Sequence, residues 1–271
     1  MAAPEPPGSG QNPAYRRARD HGVVPFPQGA TPLLRPHETG LASKTVMCGR
    51  FSITGDLDFY AGYFAVDEVA AEPLEKNWNV APTDPVYVIT EKEGKRRLTT
   101  MRWGLVPHWA TDTRSIYINA RAETADRTPA FREAFSRQRC LIPADGFYEW
   151  EPPEQGRKPH WVHRADGHPM VFAGLWGTRR DAEDWQRTCA ILTTEARGAV
   201  ADIHDRMPVI LEGEVWQAWL DREVTDPEAV RSLLRTIPAE EIMEHPVSKR
   251  VNSVRHNGPE LQAPATPETL F

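Results

Sequence analysis

Apolar positions in this chain come in short runs, few long enough for more than two helical turns. From Gly49 to Thr54 the run GRFSIT reads as a strand. Asp56 to Phe64 reads as a short helix, with Asp56 as its N-cap. KNWNVAPTDPVYVITE reads as an irregular loop that closes on a strand over Val86–Glu91. A turn at Glu93-Gly94 and a return strand over Arg97–Trp103 complete a hairpin. GLVPHW, from Gly104 to Trp109, is a loop broken by proline. Asn119 is expected to open a helix through Arg121 and Thr124, and a second short helix is expected over Pro129–Ser136.

Strand-like runs then follow at Arg139–Pro143, Gly146–Glu151, His160–Arg164, Met170–Trp176, Trp185–Thr194 and Pro208–Leu211. Helical segments are expected at Glu195–Ala201, Glu214–Asp221 and Asp226–Thr236, and from Val247 the chain reads as irregular. Many short strands with only short helices between them predict an α+β fold. The expectation is a single compact domain around a distorted antiparallel β-barrel, not a doubly wound sheet.

Residues 1–46 are rich in Pro, Gly and Ala and show neither period, so they read as a disordered tail. They contain no apolar core of signal-peptide type. The domain is expected over residues 47–257, and residues 258–271 read as a flexible C-terminal tail. No apolar stretch approaches the ~20 residues that span a bilayer, and the lack of a disulfide framework makes a reducing cytoplasm the expected compartment. Formal net charge is −6, which does not favour nucleic acid overall but leaves room for a local basic groove. Three cysteines, Cys48, Cys140 and Cys189, give no paired framework and no CxxC. Cys140 and Cys189 sit in apolar runs and read as small buried hydrophobes. No histidine has metal-ligand spacing, so no metal is expected, and aldehyde capture by Cys48 requires no organic cofactor.

Cys48 differs, because it follows Met47 and opens the sequence Cys48-Gly49-Arg50-Phe51. If Met47 is removed, Cys48 carries an α-amine and a thiol on adjacent carbons, a pair that captures aldehydes as a thiazolidine. Met47 is then either the working start or the end of a removed segment. Glu149, between Tyr148 and Trp150 in GFYEW, is a candidate for a desolvated carboxylate that moves protons. Strand alternation alone would equally turn it to solvent. His204 in IHDRMP suits acid–base work near neutral pH, or is a surface histidine in a charged loop. Asn119 in INARAET is a helix cap or a group that orients a reactive amine. Trp78, Trp103 and Trp109 are core residues or base-stacking faces, and Arg50, Arg121 and Arg206 suit phosphates.

Eight segments in order carry a resemblance: MCGRF, NVAPT, MRWGLVPHW, NARAET, CLIPADGFYEW, FAGLW, ILTT and HDRMPVIL. Over Met47–Asn257 the chain resembles the SOS response-associated peptidase family, the SRAP domain. The resemblance implies recognition of abasic sites in single-stranded DNA during the DNA damage response. It also implies covalent capture of the ring-opened sugar by the cysteine after the initiator methionine, as a thiazolidine that shields the lesion. Matched by position, it gives Cys48 as nucleophile and Asn119 as the holder of its amine. Glu149 and His204 become the acid–base groups, Arg50, Arg121 and Arg206 phosphate contacts, and Trp103 and Trp109 the aromatic region near the lesion.

Two alternatives stand beside this: a cysteine-type (auto)peptidase using Cys48 with His204, and a non-covalent reader of single-stranded or modified DNA. A weak abasic-site lyase side reaction would follow if the imine persists. The protein is expected to be a monomer. The terminal Leu270-Phe271 resembles a sliding-clamp-binding peptide.

Overall fold

A computed structural model describes residues 48–110, 116–181 and 184–266. β1 (Arg50–Ile53) leads into α1 (Leu57–Tyr63), whose N-cap Asp56 accepts a hydrogen bond from the Phe59 N–H. β2 (Glu68–Val69) and β3 (Asn77–Val80) precede the hairpin of β4 (Pro85–Lys92) and β5 (Lys95–Trp103). At the hairpin turn Glu93 and Gly94 hold φ of 57° and 74°. Two consecutive left-handed residues match the strand twist of a tight two-residue loop.

β6 (Asn119–Arg121), α2 (Arg132–Arg137), β7 (Arg139–Ala144) and β8 (Gly146–Trp150) come next. They are followed by β9 (Pro159–Arg164), β10 (Met170–Asp181) and β11 (Asp184–Glu195). The chain continues through β12 (Arg206–Pro208), α3 (Trp216–Leu220), α4 (Pro227–Ser232) and β13 (Ile242–Pro246).

One sheet has the order β13-β9-β8-β1-β3. The other runs β12-β11-β10-β7-β4-β5-β2, and β11 also pairs in parallel with β5. That extra pairing closes β11, β10, β7, β4 and β5 into a five-stranded barrel. A barrel this small is filled by its own side chains. Four aromatic rings join the sheet to the barrel. Phe51 of β1 meets Trp103 of β5 edge-on at 4.8 Å and Phe172 of β10 at 5.9 Å, and Phe147 of β8 meets Phe172 at 6.2 Å. All four are fully buried. The α+β expectation of one domain around a distorted barrel therefore holds, with parallel pairs added to the antiparallel ladder. None of the described helices is long and apolar enough to cross a membrane.

Several local expectations are corrected. Asn77–Val80, read as loop, is a strand because it pairs with β1. Asn119 caps no helix: Asn119–Arg121 is a strand laid parallel to β11, with Asn119 opposite Ile191. The following helix begins at Arg132, not Pro129, and α4 ends at Ser232, short of Thr236. Glu195–Ala201 divides between the end of β11 and a 3-10 turn at Gly198–Asp202, and β12 begins at Arg206.

The end of the chain is also less free than its composition suggests. Leu261 is fully buried with Tyr148, Trp161, Val247 and Val251. The Asn79 side-chain amide donates to the carbonyls of Val251, Ser253 and His256, fastening residues 251–256 to β3. Leu270 and Phe271 lie outside the described residues.

Candidate active site

Cys48 lies two residues before the first residue of β1, and Glu149 lies on the neighbouring β8, where Arg50 pairs with Tyr148. Close approach of the strands behind Glu149 depends on Gly146. A Cβ there would come within 2.3 Å of the Val162 carbonyl and 2.8 Å of the Trp161 ring. Alternation along β8 sends Tyr148 to the small cluster with Trp161 and turns Glu149 and Phe147 the other way. Glu149 is therefore not the solvent-facing member of the strand: it is 1% exposed.

The Glu149 carboxylate accepts two backbone N–H groups, from Cys48 at 3.0 Å (Oε2) and from Trp150 at 3.2 Å (Oε1). Among the described residues no cation pairs with it. Burial pushes its carboxyl up to about 7, the two N–H donors pull against that, and the charge of Asp205 adds to the rise. Cys48 is equally buried. Desolvation, reinforced by Glu149, holds its thiol well above the usual range, so the sulfur is a protonated thiol at neutral pH. Cys48 also has φ of 37°, a left-handed conformation that costs a side-chain-bearing residue roughly 1–2 kcal/mol.

His204 sits on the turn before β12 with its side chain 8% exposed. Its Nδ1 lies 3.1 Å from the Arg206 backbone nitrogen and 2.8 Å from Asp205 Oδ1. One ring nitrogen cannot accept from the amide and donate to the carboxylate at once. The neutral ring, with its proton on Nε2, serves the amide, whereas the imidazolium serves Asp205. Burial, aided by Arg206 and opposed by Asp205, holds the histidine below its usual value, which favours the neutral form.

The strand β11 brings the remaining motifs together. Thr193 pairs with Arg121 on one side and Pro208 on the other. Arg206 spans the join: it donates to both Glu123 oxygens at 2.8 Å and to the Thr193 carbonyl at 2.7 Å. Burial pushes the Glu123 carboxyl up, but the hydrogen bonds from Arg206, from its own backbone N–H and from Thr194, together with the Arg206 charge, outweigh it and hold Glu123 below the ordinary carboxylate range. NARAET and HDRMP thus form one locked unit beside the end of β11. Glu149 feels Asp205 within that unit.

The expected phosphate contacts and aromatic faces divide. Arg121 is exposed, whereas Arg206 is held by Glu123. Arg50 donates to Asn79 Oδ1 at 2.8 Å and to the Val251 carbonyl at 2.9 Å, bracing the loop after β13. Trp109 is 53% exposed. Trp103 is fully buried, its indole N–H given to the Ile118 carbonyl at 2.9 Å, so its ring belongs to the core and offers no face for stacking. Sequence reasoning missed Glu123 and Asp205, although both lie inside the quoted motifs. It also missed Asn252, whose side chain accepts from the Trp150 indole at 2.7 Å, next to Glu149. Among the described residues no group of His, Cys, Asp and Glu is arranged to hold a metal.

The profile described as SOS response associated peptidase (SRAP) matches residues 47–254. The chain belongs to this family. Its first matched residue is Met47, directly before the buried Cys48–Glu149 pair. The abasic site processing protein YoqW of Bacillus subtilis is 39% identical over 222 residues, which is 79% of this chain and 98% of that protein. The abasic site processing protein YedK of Escherichia coli is 32% identical, over 80% of this chain and all of its own length. A crystal structure of a Bacteroides thetaiotaomicron protein shares the fold with a TM-score of 0.72. It is 22% identical and covers 81% of this chain and 100% of its own.

Proposed function

We propose that this protein processes abasic sites in single-stranded DNA by covalent capture through Cys48, once Cys48 bears a free α-amine. The observation that carries the reading is the 3.0 Å hydrogen bond from the Cys48 nitrogen to a buried Glu149 carboxylate. In the intact chain that nitrogen is an amide. Cleavage of the Met47–Cys48 bond turns the same atom into an amine beside the same carboxylate, and it also removes the residue that defines the strained φ at Cys48. The relatives' names, abasic site processing proteins, agree with this substrate.

The amine has a reference pKa of about 7.7–8.0, so it needs a base near neutrality. In the intact chain burial pushes Glu149 up to about 7, and the charge of an α-ammonium beside it would draw it down again, so the carboxylate faces the amine ready to take its proton and return it. The amine adds to C1′ of the ring-opened sugar and water leaves, giving an imine. The Cys48 thiol then adds across the C=N bond, its proton passing to the nitrogen, and the five-membered ring closes. Closure is intramolecular and gains from high effective concentration. His204 assists opening of the sugar hemiacetal through Nε2–H, and Asn119 orients the amine. Arg121 and the exposed ring of Trp109 serve the strand.

The same residues support a linked second reading. An amide at Cys48 hydrogen-bonded to a carboxyl that is half protonated near pH 7 is suited to breaking the bond to Met47. Water adds to the Met47 carbonyl carbon, protonated Glu149 gives its proton to the leaving Cys48 nitrogen and is reprotonated from that water, and the Met47 side leaves as a carboxylic acid. The family's description as a peptidase fits such a self-cleavage.

The test uses protein beginning at Cys48 and an abasic single-stranded oligonucleotide. A denaturation-resistant adduct is expected, and Cys48→Ala abolishes it. An equal adduct yield from Cys48→Ala overturns the thiazolidine. Binding that is wholly reversible on denaturation would instead identify a non-covalent reader.

A further inference from the structure

A second cavity, about 150 Å³, opens on the barrel away from Cys48. Four barrel strands line it: β4 through Thr90 and Lys92, β5 through Arg97, Thr99 and Met101, β10 through Trp176, and β11 through Arg187. Arg187 is separated from Thr193, where NARAET and HDRMP meet, by about 20 Å of extended strand. The cavity therefore lies at the opposite end of β11 from the candidate active site.

Its walls are electrostatically lopsided. Lys92, Arg97, Arg187 and Arg222 line it against one carboxylate, Glu91, in a chain whose overall charge is −6. Glu91 is itself engaged by the Gln217 side chain. Arg97 pairs through Nη2 with Glu68 at 3.2 Å, but its buried Nε has no partner among the described residues. Among the described residues Arg222 gives only its Nε, to the Arg137 carbonyl at 3.1 Å. Arg187 is exposed and has no ion-pair partner among the described residues. Thr90 and Thr99 are buried on adjacent strands of this wall, and Met101 and Trp176 supply its apolar part. Like charges gathered about a concave, partly desolvated surface repel one another and focus a positive potential into it. Guanidinium forks beside hydroxyls match the oxygens of a phosphoryl group, and an indole face matches a base.

We propose that this cavity is a second binding site, for a phosphoryl group carried on a nucleotide, with the phosphate among Arg97, Arg187 and Arg222 and the base against Trp176. The nucleotide is either free or part of a DNA strand that extends beyond the candidate active site.

The test is calorimetric titration of the full chain at low ionic strength with deoxyadenosine monophosphate and, separately, with inorganic phosphate. Saturable binding of the nucleotide, competed by phosphate, is expected. Arg187→Glu with Arg222→Glu should weaken it at least 10-fold, and Arg187→Lys much less. Lys249→Glu with Arg255→Glu, two exposed cations elsewhere, makes the same change in net charge and should leave affinity unchanged. Absence of saturable binding by either probe overturns the site, and so does an equal loss in the two double variants. Thermal melts of each variant report whether it folds. The salt dependence of binding to an unmodified 12-nucleotide strand identifies the source. A slope smaller in magnitude by about 1.4 in Arg187→Glu/Arg222→Glu identifies a strand phosphate. An unchanged slope with lost mononucleotide binding identifies a free nucleotide. Adduct formation on a short abasic oligonucleotide is followed alongside with the same variants in protein beginning at Cys48 and should not change, so failure here is distinguishable from failure at Cys48.

Discussion

The adjacent strands β8 and β9 carry two treatments of charge. On β8, Glu149 is buried without a cation, holds two backbone N–H groups, and has its carboxyl raised from 4.5 to about 7. Toward the end of β9, Arg164 binds three carboxylates: Asp166 at 2.7 Å, Glu241 at 3.0 Å and Glu212 at 3.3 Å. Hydrogen bonds from Arg164 lower the Asp166 carboxyl to about 2. One arrangement makes a carboxylate permanent and structural. The other leaves a carboxyl poised between its two forms at the pH where an amine must gain and lose protons. The difference lies in the company each keeps, because the chemical group is the same.

The largest effect expected from that contrast is on rate. Glu149→Gln keeps the shape and removes the base, so single-turnover adduct formation by protein starting at Cys48 should slow by about 100-fold, within the range usual for a positioned proton-transfer group. An undiminished rate would remove Glu149 from the mechanism.

Stability should separate the two regions next. For Glu149 the folded state keeps a proton that the unfolded chain has released between pH 4.5 and about 7. Its burial therefore costs stability as pH rises through that window, on the order of 3 kcal/mol in full above pH 7. Glu149→Gln should accordingly gain stability over the parent at pH 8 and lose that advantage at pH 4.5, as read by urea unfolding at both. A pH-independent difference would contradict the raised carboxyl.

Asp166 has the opposite sign: its contribution is present above about 4 and fades as pH falls toward 2. Its side chain is 44% exposed, so solvent screens it. Arg164→Ala should cost only about 1 kcal/mol in unfolding free energy and leave the adduct rate unchanged. A rate loss comparable with that of Glu149→Gln would erase the distinction between the regions.

How much of this was legible in the sequence follows the range of the interactions. The hairpin at Glu93-Gly94 and the cap at Asp56 are local and were readable residue by residue. Asn119 carries a good local cap signal, yet it becomes a strand because β11, far away in sequence, supplies a parallel partner. Asn77–Val80 has the same history with β1. Trp103 is flanked by a proline-containing loop, and nothing in its neighbours tells that Phe51 will meet its ring and the Ile118 carbonyl its indole N–H. For the candidate site, the motifs pointed to Cys48, Glu149 and His204 as residue types. The bond between the Cys48 nitrogen and Glu149 joins residues about a hundred positions apart and is visible only in the fold. The same is true of the Glu123–Arg206 lock.

Everything proposed for Cys48 turns on the state of one nitrogen. The decisive measurement compares three forms on the same abasic single-stranded oligonucleotide: the full chain with residues 1–47 intact, protein beginning at Cys48, and the latter with its α-amine acetylated. Adduct that survives denaturation is quantified by electrophoresis, with intact mass confirming each amino terminus. The account predicts adduct from the free Cys48 amine alone. A stable adduct formed as fast by the intact chain or by the acetylated form would contradict it.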